Sequence, residues 1–371
     1  MMSARFLTVV LERAFNMRDG FGREIDYMRI SVIDSCNLNC YYCNPCDNNE
    51  HCHALNILSV KEVLCIVRAA TRLGIKHFRL TGGEPLLHPQ LDEMVLQIKK
   101  IPGVSSVSLT TNAVLLAQHA KWLKEAGIDS INVSLDTIDA SEYERITKKP
   151  LLEEVKHGIN AAIECGIRVK INVVLTPQTD VVALTRYVAK KGTDIRFIEM
   201  MPVGEGHTNG VEPYKKVIGT LSKLYGEPCR INTEKTKEIN SGNDKRKIPD
   251  NGPAEYYIFP ELGIRVGLIQ AIHGKFCDTC NRIRVTADGR LMPCLGSSVT
   301  MDLVPDSCEF TDDLEKDFVI VQALKAAIKA KPGCHNFNDN AVTYTKTTEI
   351  KTTEIEAAEV NAARNMSRIG G

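Results

Sequence analysis

Two patterns of hydrophobic and polar residues alternate along the first 200 residues of the chain. Six short stretches are apolar or β-branched at nearly every position, which is typical of strands buried on both faces of a sheet. The stretches between them repeat apolar residues every three or four positions, which is typical of amphipathic helices. The predicted strands cover residues 27–34, 76–81, 104–110, 129–135, 168–175 and 194–200. The predicted helices cover residues 59–74, 88–100, 116–127, 154–166 and 180–192.

Strands that alternate with helices predict an α/β fold with a parallel sheet and right-handed crossovers. The simplest closed form is a partial parallel β/α barrel of six units. An open doubly wound sheet is the alternative, because periodicity alone does not separate the two. In both architectures ligands bind at the carboxyl ends of the strands.

The alternation stops after Pro202, which indicates a second, smaller domain. Residues 203–253 are polar and rich in turn residues, residues 255–295 resemble short strands around a group of cysteines, and residues 313–331 have a helical pattern. Residues 338–371 are rich in Thr and Glu, contain the repeat KTTEIKTTEIE, and suggest a solvated helix or an extended arm. The predicted domains are residues 1–205 and 206–371.

Composition narrows the class of protein. The chain has 371 residues, of which 43% are hydrophobic and 25% charged, and this balance excludes a disordered or fibrous protein. Lys and Arg together equal Asp and Glu at 46 each, which argues against broad nucleic-acid or membrane-surface binding. No apolar run is long enough for a membrane span, and the first residues do not resemble a signal peptide, so a cytoplasmic location is expected.

Cysteine is unusually frequent, with 13 residues, and six of these form two triads. The first triad, Cys36, Cys40 and Cys43, has the spacing C-x3-C-x2-C and follows the first predicted strand. The second triad has the spacing C-x2-C-x13-C; its members are Cys277, Cys280 and Cys294. Three thiolates suit a [4Fe–4S] cluster in which one iron is left for a non-protein ligand, and two triads in one chain favour this interpretation.

A zinc site is the alternative for each triad. Structural zinc needs four closed protein ligands, and Cys46, Cys52 or His53 could supply the fourth ligand near the first triad. For the second triad taken alone, the spacing does not separate zinc from a cluster. The chain would then be a structural or interaction module with a colourless metal site.

Several motifs resemble those of radical S-adenosylmethionine (SAM) enzymes, and of the GTP 3',8-cyclase family in particular. CNLNCYYC at residues 36–43 resembles the superfamily's cluster motif. The resemblance continues through TGGEPLLHP (81–89), LTTNA (109–113), NVSLD (132–136), RFIEMMPVGEG (196–206), FCDTCNRIRVTADGRLMPCL (276–295) and MSRIGG (366–371). It implies two [4Fe–4S] clusters, SAM as cofactor, and conversion of GTP to 3',8-cyclo-7,8-dihydro-GTP in molybdenum cofactor biosynthesis.

The resemblance assigns roles at the first cluster. Its open iron would chelate SAM, and reductive cleavage would release a 5'-deoxyadenosyl radical that abstracts the hydrogen at ribose C3' before C3' bonds to guanine C8. Glycines let the backbone approach a ligand, and a carboxylate can accept from the methionyl ammonium. The residues implied in SAM binding are Tyr42, Gly83, Glu84, Thr110, Ser134 and Met201, with Asn112 at a neighbouring strand end.

The substrate's triphosphate requires several cations in one pocket, with Arg favoured for its bidentate contacts. The predicted GTP-binding residues are Arg29, Arg79, Lys170, Arg196, Arg282 and Arg284. Four of them lie inside predicted strands, where clustered cations repel one another unless an anion is bound. Separate buried ion pairs with Asp or Glu are the alternative. The resemblance also places the second cluster's open iron at the guanine base.

The end of the chain and the expected partners complete the predictions. The resemblance implies that Arg368, Gly370 and Gly371 reach the active site, although a frayed terminus is the plain alternative. A flavodoxin- or ferredoxin-like electron donor, cyclic pyranopterin monophosphate synthase as the next enzyme, and a second copy in a homodimer are expected partners. His77 and Asn44 depart from the family pattern and leave room for a modified substrate. A radical SAM peptide maturase with an auxiliary cluster is the alternative enzyme.

Overall fold

The computed structural model describes residues 17–43, 56–203, 210–231, 252–297, 299–303, 313–335 and 337. Cys46, Cys52, His53, Asn44 and the predicted C-terminal tail with Arg368, Gly370 and Gly371 lie outside the described residues. The same holds for the repeat within residues 338–371.

All six predicted strands are present, and each is followed by at least one helix. The strands are β1 Tyr27–Ser31, β2 His77–Thr81, β3 Ser106–Thr111, β4 Ser130–Ser134, β5 Val169–Val174 and β6 Asp194–Ile198. The helices that follow them are α1 Val60–Arg72, α2 Leu91–Lys99, α3 Leu116–Glu125, α4 Ala140–Thr147, α5 Leu152–Glu164 and α6 Val181–Lys190. The short helix α4 was not predicted; Asp139 caps it by accepting from the backbone N–H of Glu142.

The strand order identifies the architecture. In the described sheet, β1 to β6 lie side by side in sequence order, and each strand pairs in parallel with the next. When each strand is added on the same side of the previous one, right-handed crossovers place all the helices on one face of the sheet. In a doubly wound sheet the strand order reverses once, so helices cover both faces. The fold is therefore the predicted partial barrel, and the doubly wound alternative is wrong.

The C-terminal segment extends both edges of this sheet. The strands β9 Arg265–Ile269 and β10 Arg282–Val285 pair in parallel with β6 and β1, respectively. Four further strands join antiparallel: β7 Cys229–Ile231, β8 Glu255–Ile258, β11 Arg290–Met292 and β12 Met301–Asp302. Because the sheet continues from one segment into the other, the division at residue 205 stays a prediction.

The remaining helical segments lie in the C-terminal part. They are a π-helical turn Tyr214–Ile218, α7 Gly219–Tyr225, a 3₁₀ turn Cys277–Thr279 and α8 Asp313–Lys329. The helix α8 occupies the position predicted for residues 313–331, and its buried Asp317 forms a 3.1 Å ion pair with Arg72 of α1. None of the described helices has both the length and the apolar character needed to cross a membrane.

Alternation along each strand separates the hydrophobic core from the interior of the barrel. Met28 and Ile30 of β1 are fully buried in the hydrophobic core, while Tyr27 and Arg29, which alternate with them, line the interior. The same alternation holds in β10, where Ile283 belongs to the core. Since neighbouring side chains of a strand point to opposite faces, cations in these strands reach the interior without entering the core.

Candidate functional site

A cavity of about 300 Å³ opens at the carboxyl ends of the parallel strands. Its wall includes both cysteine triads together with residues from β1, from the ends of β2 to β6, from β10 and from the segments after β9 and β11. The position agrees with the expectation that ligands bind at the carboxyl ends of the strands. One cavity therefore brings together most of the residues that the sequence singled out.

The first triad lies on a loop anchored by backbone bonds to the end of α4. Asn39 N donates to Thr147 O at 3.0 Å, and Tyr41 N donates to Ile146 O at 3.1 Å. The sulfur of Cys36 accepts from the backbone N–H of Leu38, with an N···S distance of 3.5 Å. Burial raises the pKa of the Cys36 thiol to about 11. Thiolates here consequently need a bound cation, which is what a metal cluster supplies.

Two glycines hold this loop against the end of β2. Gly83 N donates to Ile33 O at 2.7 Å, and Glu84 N donates to Ser35 O at 2.8 Å. A Cβ on Gly82 would lie 2.2 Å from Ile33 O, and a Cβ on Gly83 would lie 2.1 Å from Ser35 O. The glycines were predicted to let the backbone approach a ligand. In the structure they pack against the backbone of the residues directly before Cys36.

Glu84 is buried, with 1% of its surface exposed, and is held by protein donors. Its Oε1 accepts from Thr111 Oγ1 at 2.6 Å and from Leu86 N at 3.0 Å, and its Oε2 accepts from Asn112 N at 2.7 Å. Burial raises its pKa to about 7 despite these hydrogen bonds. Since a carboxylate accepts about four hydrogen bonds, capacity for a ligand ammonium remains.

Tyr42, between two cysteines of the first triad, is hydrogen-bonded to a strand end. Its hydroxyl donates to Asp136 Oδ2 at 2.5 Å, and Asp136 Oδ1 accepts from Val174 N at 2.7 Å. Burial raises the pKa of Asp136 to about 6. Asp136 was not predicted as a site residue, although NVSLD contains it; it fixes Tyr42 relative to β4 and β5.

The other residues predicted for SAM line the same cavity. Thr110 Oγ1 is buried and has no hydrogen-bond partner among the described residues. Ser134 and Met201 also line the wall, at the end of β4 and shortly after β6. Asn112 lines the wall as well; its Nδ2 donates to Asn37 Oδ1 at 2.7 Å and faces Cys36 Sγ at 3.8 Å, and its SAM contact stays a prediction.

The second triad lies on the 3₁₀ turn and on the segment after β11. Arg23 Nη1 donates to Cys277 O at 2.7 Å, which ties this turn to the start of the described chain. Burial raises the pKa of the Cys280 thiol, but Arg282, Lys331 and other donors outweigh this effect and lower it to about 6. Cys280 is therefore disposed to be a thiolate, in contrast to Cys36.

Three arginines form a row across adjacent strands. Arg29 of β1 is the register partner of Arg284 on β10 and of Arg79 on β2. Burial and then the charges of Arg284 and Arg79 lower the pKa of Arg29 well below its usual value. Arg284 is 5% exposed, and among the described residues its Nε has no hydrogen-bond partner and no carboxylate lies within ion-pair distance. This buried positive row fits an anionic ligand.

Two more predicted cations face the cavity, and one does not. Arg196 of β6 donates from Nε to Asn172 Oδ1 at 2.9 Å, and Arg282 lies with its guanidinium 5.2 Å from the Phe276 ring centroid. Lys170 is not among the residues that line the cavity; its Nζ lies 6.0 Å from the Tyr256 ring centroid. The cavity wall begins two residues later on β5, at Asn172, so the prediction for Lys170 lacks support from its position.

The three carboxylates of the cavity wall, those of Glu84, Asp136 and Glu199, accept hydrogen bonds from described residues, and separate ion pairs for the strand cations stay an alternative. Glu199 accepts from Ile272 N at 2.7 Å and from His273 N at 3.1 Å, and it also contacts His273 Nδ1. Glu84 and Asp136 are held as described above. His77, the departure from the family pattern, lies outside the cavity and contacts Ser106 Oγ at 2.8 Å.

Several cavity residues were missed by sequence reasoning. Lys331 and His335 follow α8 and lie far in sequence from both triads. His335 Nε2 donates to Ala271 O at 2.8 Å, and the centroid of its ring lies 4.2 Å from that of Phe337. A Lys at a helix end ordinarily indicates a cap, so the sequence carries no signal for Lys331.

The geometry of the thiols bears on the zinc alternative. Among the described residues, no three His, Cys, Asp or Glu side chains approach closely enough to hold a single metal ion. In an iron–sulfur cluster each thiolate binds a different iron, so the sulfurs are spread around the cluster. Hydrogen-bond donors and cations lie beside both triads, as they do around metal centres, and the choice between a cluster and zinc at the second triad stays a prediction.

Comparison with known proteins agrees with the geometry. Residues 30–183 match the Radical SAM superfamily, and residues 193–337 match Molybdenum Cofactor Synthesis C. A GTP 3',8-cyclase of Clostridium perfringens is 36% identical over 324 residues, which cover 86% of this chain and 95% of that protein. One of Listeria monocytogenes is 36% identical over 323 residues, covering 86% of this chain and 92% of that protein.

Solved structures support the fold. Streptococcus suis SuiB matches with a TM-score of 0.54 at 15% identity, covering 86% of this chain and 69% of that chain. The protein anSMEcpe with bound AdoMet matches with a TM-score of 0.50 at 17% identity, covering 74% of this chain and 75% of that chain. The sequence similarity is decisive, and this chain belongs to the GTP 3',8-cyclase family of the radical SAM superfamily.

Proposed function

We propose that this protein converts GTP into 3',8-cyclo-7,8-dihydro-GTP in the first step of molybdenum cofactor biosynthesis. The observation that carries the proposal is that two cysteine triads and a row of arginines line one cavity. A single ligand there can contact thiolate-bound metal and buried cations together. The relatives named as GTP 3',8-cyclases support GTP as that ligand.

The first triad would serve the cofactor. Cys36, Cys40 and Cys43 would hold a [4Fe–4S] cluster with one open iron, where bound SAM supplies the one-electron chemistry that starts the reaction. The loop is held by Gly83 and by the hydrogen bond from Tyr42 to Asp136. The buried Thr110 hydroxyl, which has no hydrogen-bond partner within the described part of the chain, is proposed to contact SAM, as are Ser134 and Met201 at their cavity positions.

The arginine row would bind the triphosphate. Arg29, Arg79 and Arg284 can each donate more than one hydrogen bond to phosphate oxygens, and the bound anion offsets their mutual repulsion. Arg196 and Arg282 extend the positive surface toward β6 and the second triad. Because the reaction joins two positions of one nucleotide, fixing the substrate's orientation is the main catalytic demand on these residues.

The second triad would hold a second [4Fe–4S] cluster. Cys277, Cys280 and Cys294 provide three thiols, and the lowered pKa of Cys280 favours the thiolate that metal binding requires. Its place in the cavity beside Arg282 suits contact with the guanine base. Arg368, Gly370 and Gly371 would complete the site from the chain terminus.

Organisation and partners follow from this function. We place the cluster and SAM chemistry in residues 1–205 and the second cluster in residues 206–371. One-electron cleavage of SAM requires an electron donor of low potential, for which a flavodoxin- or ferredoxin-like protein is proposed. Cyclic pyranopterin monophosphate synthase would consume the product. A homodimer in the cytoplasm is proposed as the working form.

The test is anaerobic turnover of the reconstituted protein with SAM, dithionite and GTP, followed by mass spectrometry. A GTP-dependent product isomeric with GTP, formed with 5'-deoxyadenosine, is expected. ATP and CTP serve as matched nucleotide controls, and a Cys36→Ala variant should form neither compound. SAM cleavage that is indifferent to GTP, or coupled instead to an added peptide, would favour the peptide maturase alternative.

A further inference from the structure

Lys331 is a buried cation beside the second cysteine triad. It follows α8, is 2% exposed and lines the cavity. Its Nζ donates to Arg282 O at 2.8 Å and to Pro293 O at 2.9 Å. Both acceptors are backbone carbonyls, so the contacts depend on the position of the main chain and not on the side chains of these residues.

The two carbonyls belong to the chain segments that carry two of the cysteines. Arg282 comes two residues after Cys280, and Pro293 directly precedes Cys294. These cysteines are separated along the chain by the β10–β11 hairpin. One ammonium group therefore bridges both sides of this hairpin at the level of the thiols.

The charge of Lys331 also acts on the thiols. Burial lowers the pKa of Lys331 below its usual value, and the neighbouring Cys280 and Cys294 thiolates oppose this shift. Among the described residues, no carboxylate lies within ion-pair distance of its Nζ. Burying an ammonium group without a compensating anion destabilises the folded protein, and the neighbouring thiolates can provide that negative charge.

The third cysteine is fixed from the same segment. Arg23 donates from Nη1 to Cys277 O at 2.7 Å and from Nη2 to Pro332 O at 2.6 Å. Asp19 holds this guanidinium through a 2.6 Å contact with Nε. Residues 331 and 332 are thus connected, directly or through Arg23, to main-chain carbonyls at or within two residues of all three cysteines.

We propose that Lys331 is a positioning residue for the second triad: it holds the segments of Cys280 and Cys294 together and places a positive charge beside their thiolates. The inference rests on the proposed second cluster. Lys331 would raise the occupancy of that cluster, and its charge would favour the reduced state, since net charge and hydrogen bonding around a cluster set its reduction potential.

The experiment isolates the second triad in the full chain. A parent variant carrying Cys36→Ala, Cys40→Ala and Cys43→Ala is reconstituted anaerobically, and iron and sulfide are counted. Lys331→Met is expected to bind at least fivefold less iron than the parent, whereas Lys331→Arg should retain more than half. In the clusters that remain in Lys331→Met, the ratio of reduced to oxidised cluster at a fixed potential should fall about tenfold, equivalent to 59 mV for one electron.

Lys216 provides a matched control, because its Nζ also donates to two backbone carbonyls, Thr176 O at 3.1 Å and Pro177 O at 2.7 Å. Lys216→Met should load iron like the parent. Equal loading and an equal redox ratio in Lys331→Met would overturn the inference, as would equal losses in Lys331→Arg or in Lys216→Met. A parent variant that binds no iron would contradict the proposed second cluster itself, and with it the inference.

Discussion

Arg29 and Arg284 lie directly opposite each other in adjacent parallel strands, and Arg79 occupies the same register on the other side of Arg29. Like charges in such positions destabilise a sheet. The chain retains this arrangement inside a cavity, where the pKa of Arg284 is lowered to about 10 by burial and by Arg282. The same row of arginines would therefore destabilise the sheet without a ligand and bind the triphosphate when GTP is present.

Replacing Arg284 with Met should therefore have opposite effects with and without nucleotide. Without GTP, the free energy of unfolding should stay equal or rise by about 0.2–1 kcal/mol, because one repulsive pair is lost. With GTP, affinity should fall roughly 10- to 100-fold, since hydrogen bonds to charged groups contribute about 1.5–3 kcal/mol. Thermal unfolding with and without GTP, together with a binding titration, measures both effects.

The exposed Arg186, which donates to Tyr225 Oη at 3.0 Å, is a control distant from the cavity wall. Arg186→Met should leave GTP affinity unchanged. An Arg284→Met variant with normal GTP affinity would contradict the assignment of the arginine row to the substrate.

Gly267 makes room for Arg196 on the neighbouring strand. The two are register partners, and a Cβ on Gly267 would lie 2.8 Å from Arg196 Cγ and 2.9 Å from Tyr256 Cε1. Gly267→Ala should displace the Arg196 side chain from Asn172 and raise the KM for GTP by about tenfold, the equivalent of 1.4 kcal/mol. SAM cleavage without GTP should change little.

The coupling between these residues distinguishes this mechanism from a general loss of stability. If Gly267→Ala acts through Arg196, its effect on KM should largely disappear in the Arg196→Ala background. Additive effects in the double variant would show that the two substitutions act independently.

Much of the fold could be predicted because local patterns specify it. The six strands were identified from their runs of apolar residues, and the helix Val60–Arg72 begins after Ser59, which forms a capping box with Glu62 as its pattern suggests. What periodicity could not decide was strand order, since barrels and doubly wound sheets share the same local pattern. The short helix Ala140–Thr147 was missed because it adds a second helix to one unit.

The site was predictable where residue type and strand position coincide. Arg29 and Arg79 were recognisable as cations inside apolar strands, and Arg284 was predicted on a short strand between two cysteines of the second triad. Their common register follows from strand pairing. Lys331 was not recognisable, because its partners are backbone carbonyls about 40 to 50 residues away along the chain. Lys170 was chosen for its residue type, and its role stays a prediction, because it lies on β5 two residues before Asn172 of the cavity wall.

Gly83 should be essential for the first triad and dispensable for the second. An added Cβ would overlap Ser35 O at 2.1 Å and force the backbone before Cys36 to move. Gly83→Ala should therefore lose most of the iron bound by the first triad and most SAM cleavage. Iron and sulfide counts should approach those of one cluster instead of two.

Gly219 offers a matched substitution, since a Cβ there would meet no atom within 4 Å. It is the first residue of helix α7 and has helical backbone angles, so Gly219→Ala should be neutral or stabilise the protein by up to about 1 kcal/mol. Full iron content in Gly83→Ala would show that the loop tolerates the displacement, contrary to the argument from overlap.

Asp136 should make stability depend on pH in a defined interval. Burial raises its pKa in the folded protein to about 6, above its usual value of 3.8. The unfolded chain therefore releases this proton first as pH rises, and the associated stability, fully present below pH 3.8, is lost as the pH passes 6. Above that interval the folded protein carries a buried carboxylate that accepts from Tyr42 and from Val174 N.

Asp136→Asn should remove this dependence while retaining the structure, because the amide can accept from Val174 N and donate to the Tyr42 hydroxyl. We expect urea unfolding of the iron-free protein to show a shallower decline in stability between about pH 4 and 6, and equal or greater stability at pH 7.5. Asp136→Ala, which cannot bond to Tyr42, should weaken SAM binding in the reconstituted protein more than Asp136→Asn does, and Tyr42→Phe should share that defect. Parallel pH profiles for Asp136→Asn and the unmodified protein would mean that the carboxylate does not titrate in this interval. Equal SAM affinity in all three variants would mean that the bond between Tyr42 and Asp136 does not position the loop.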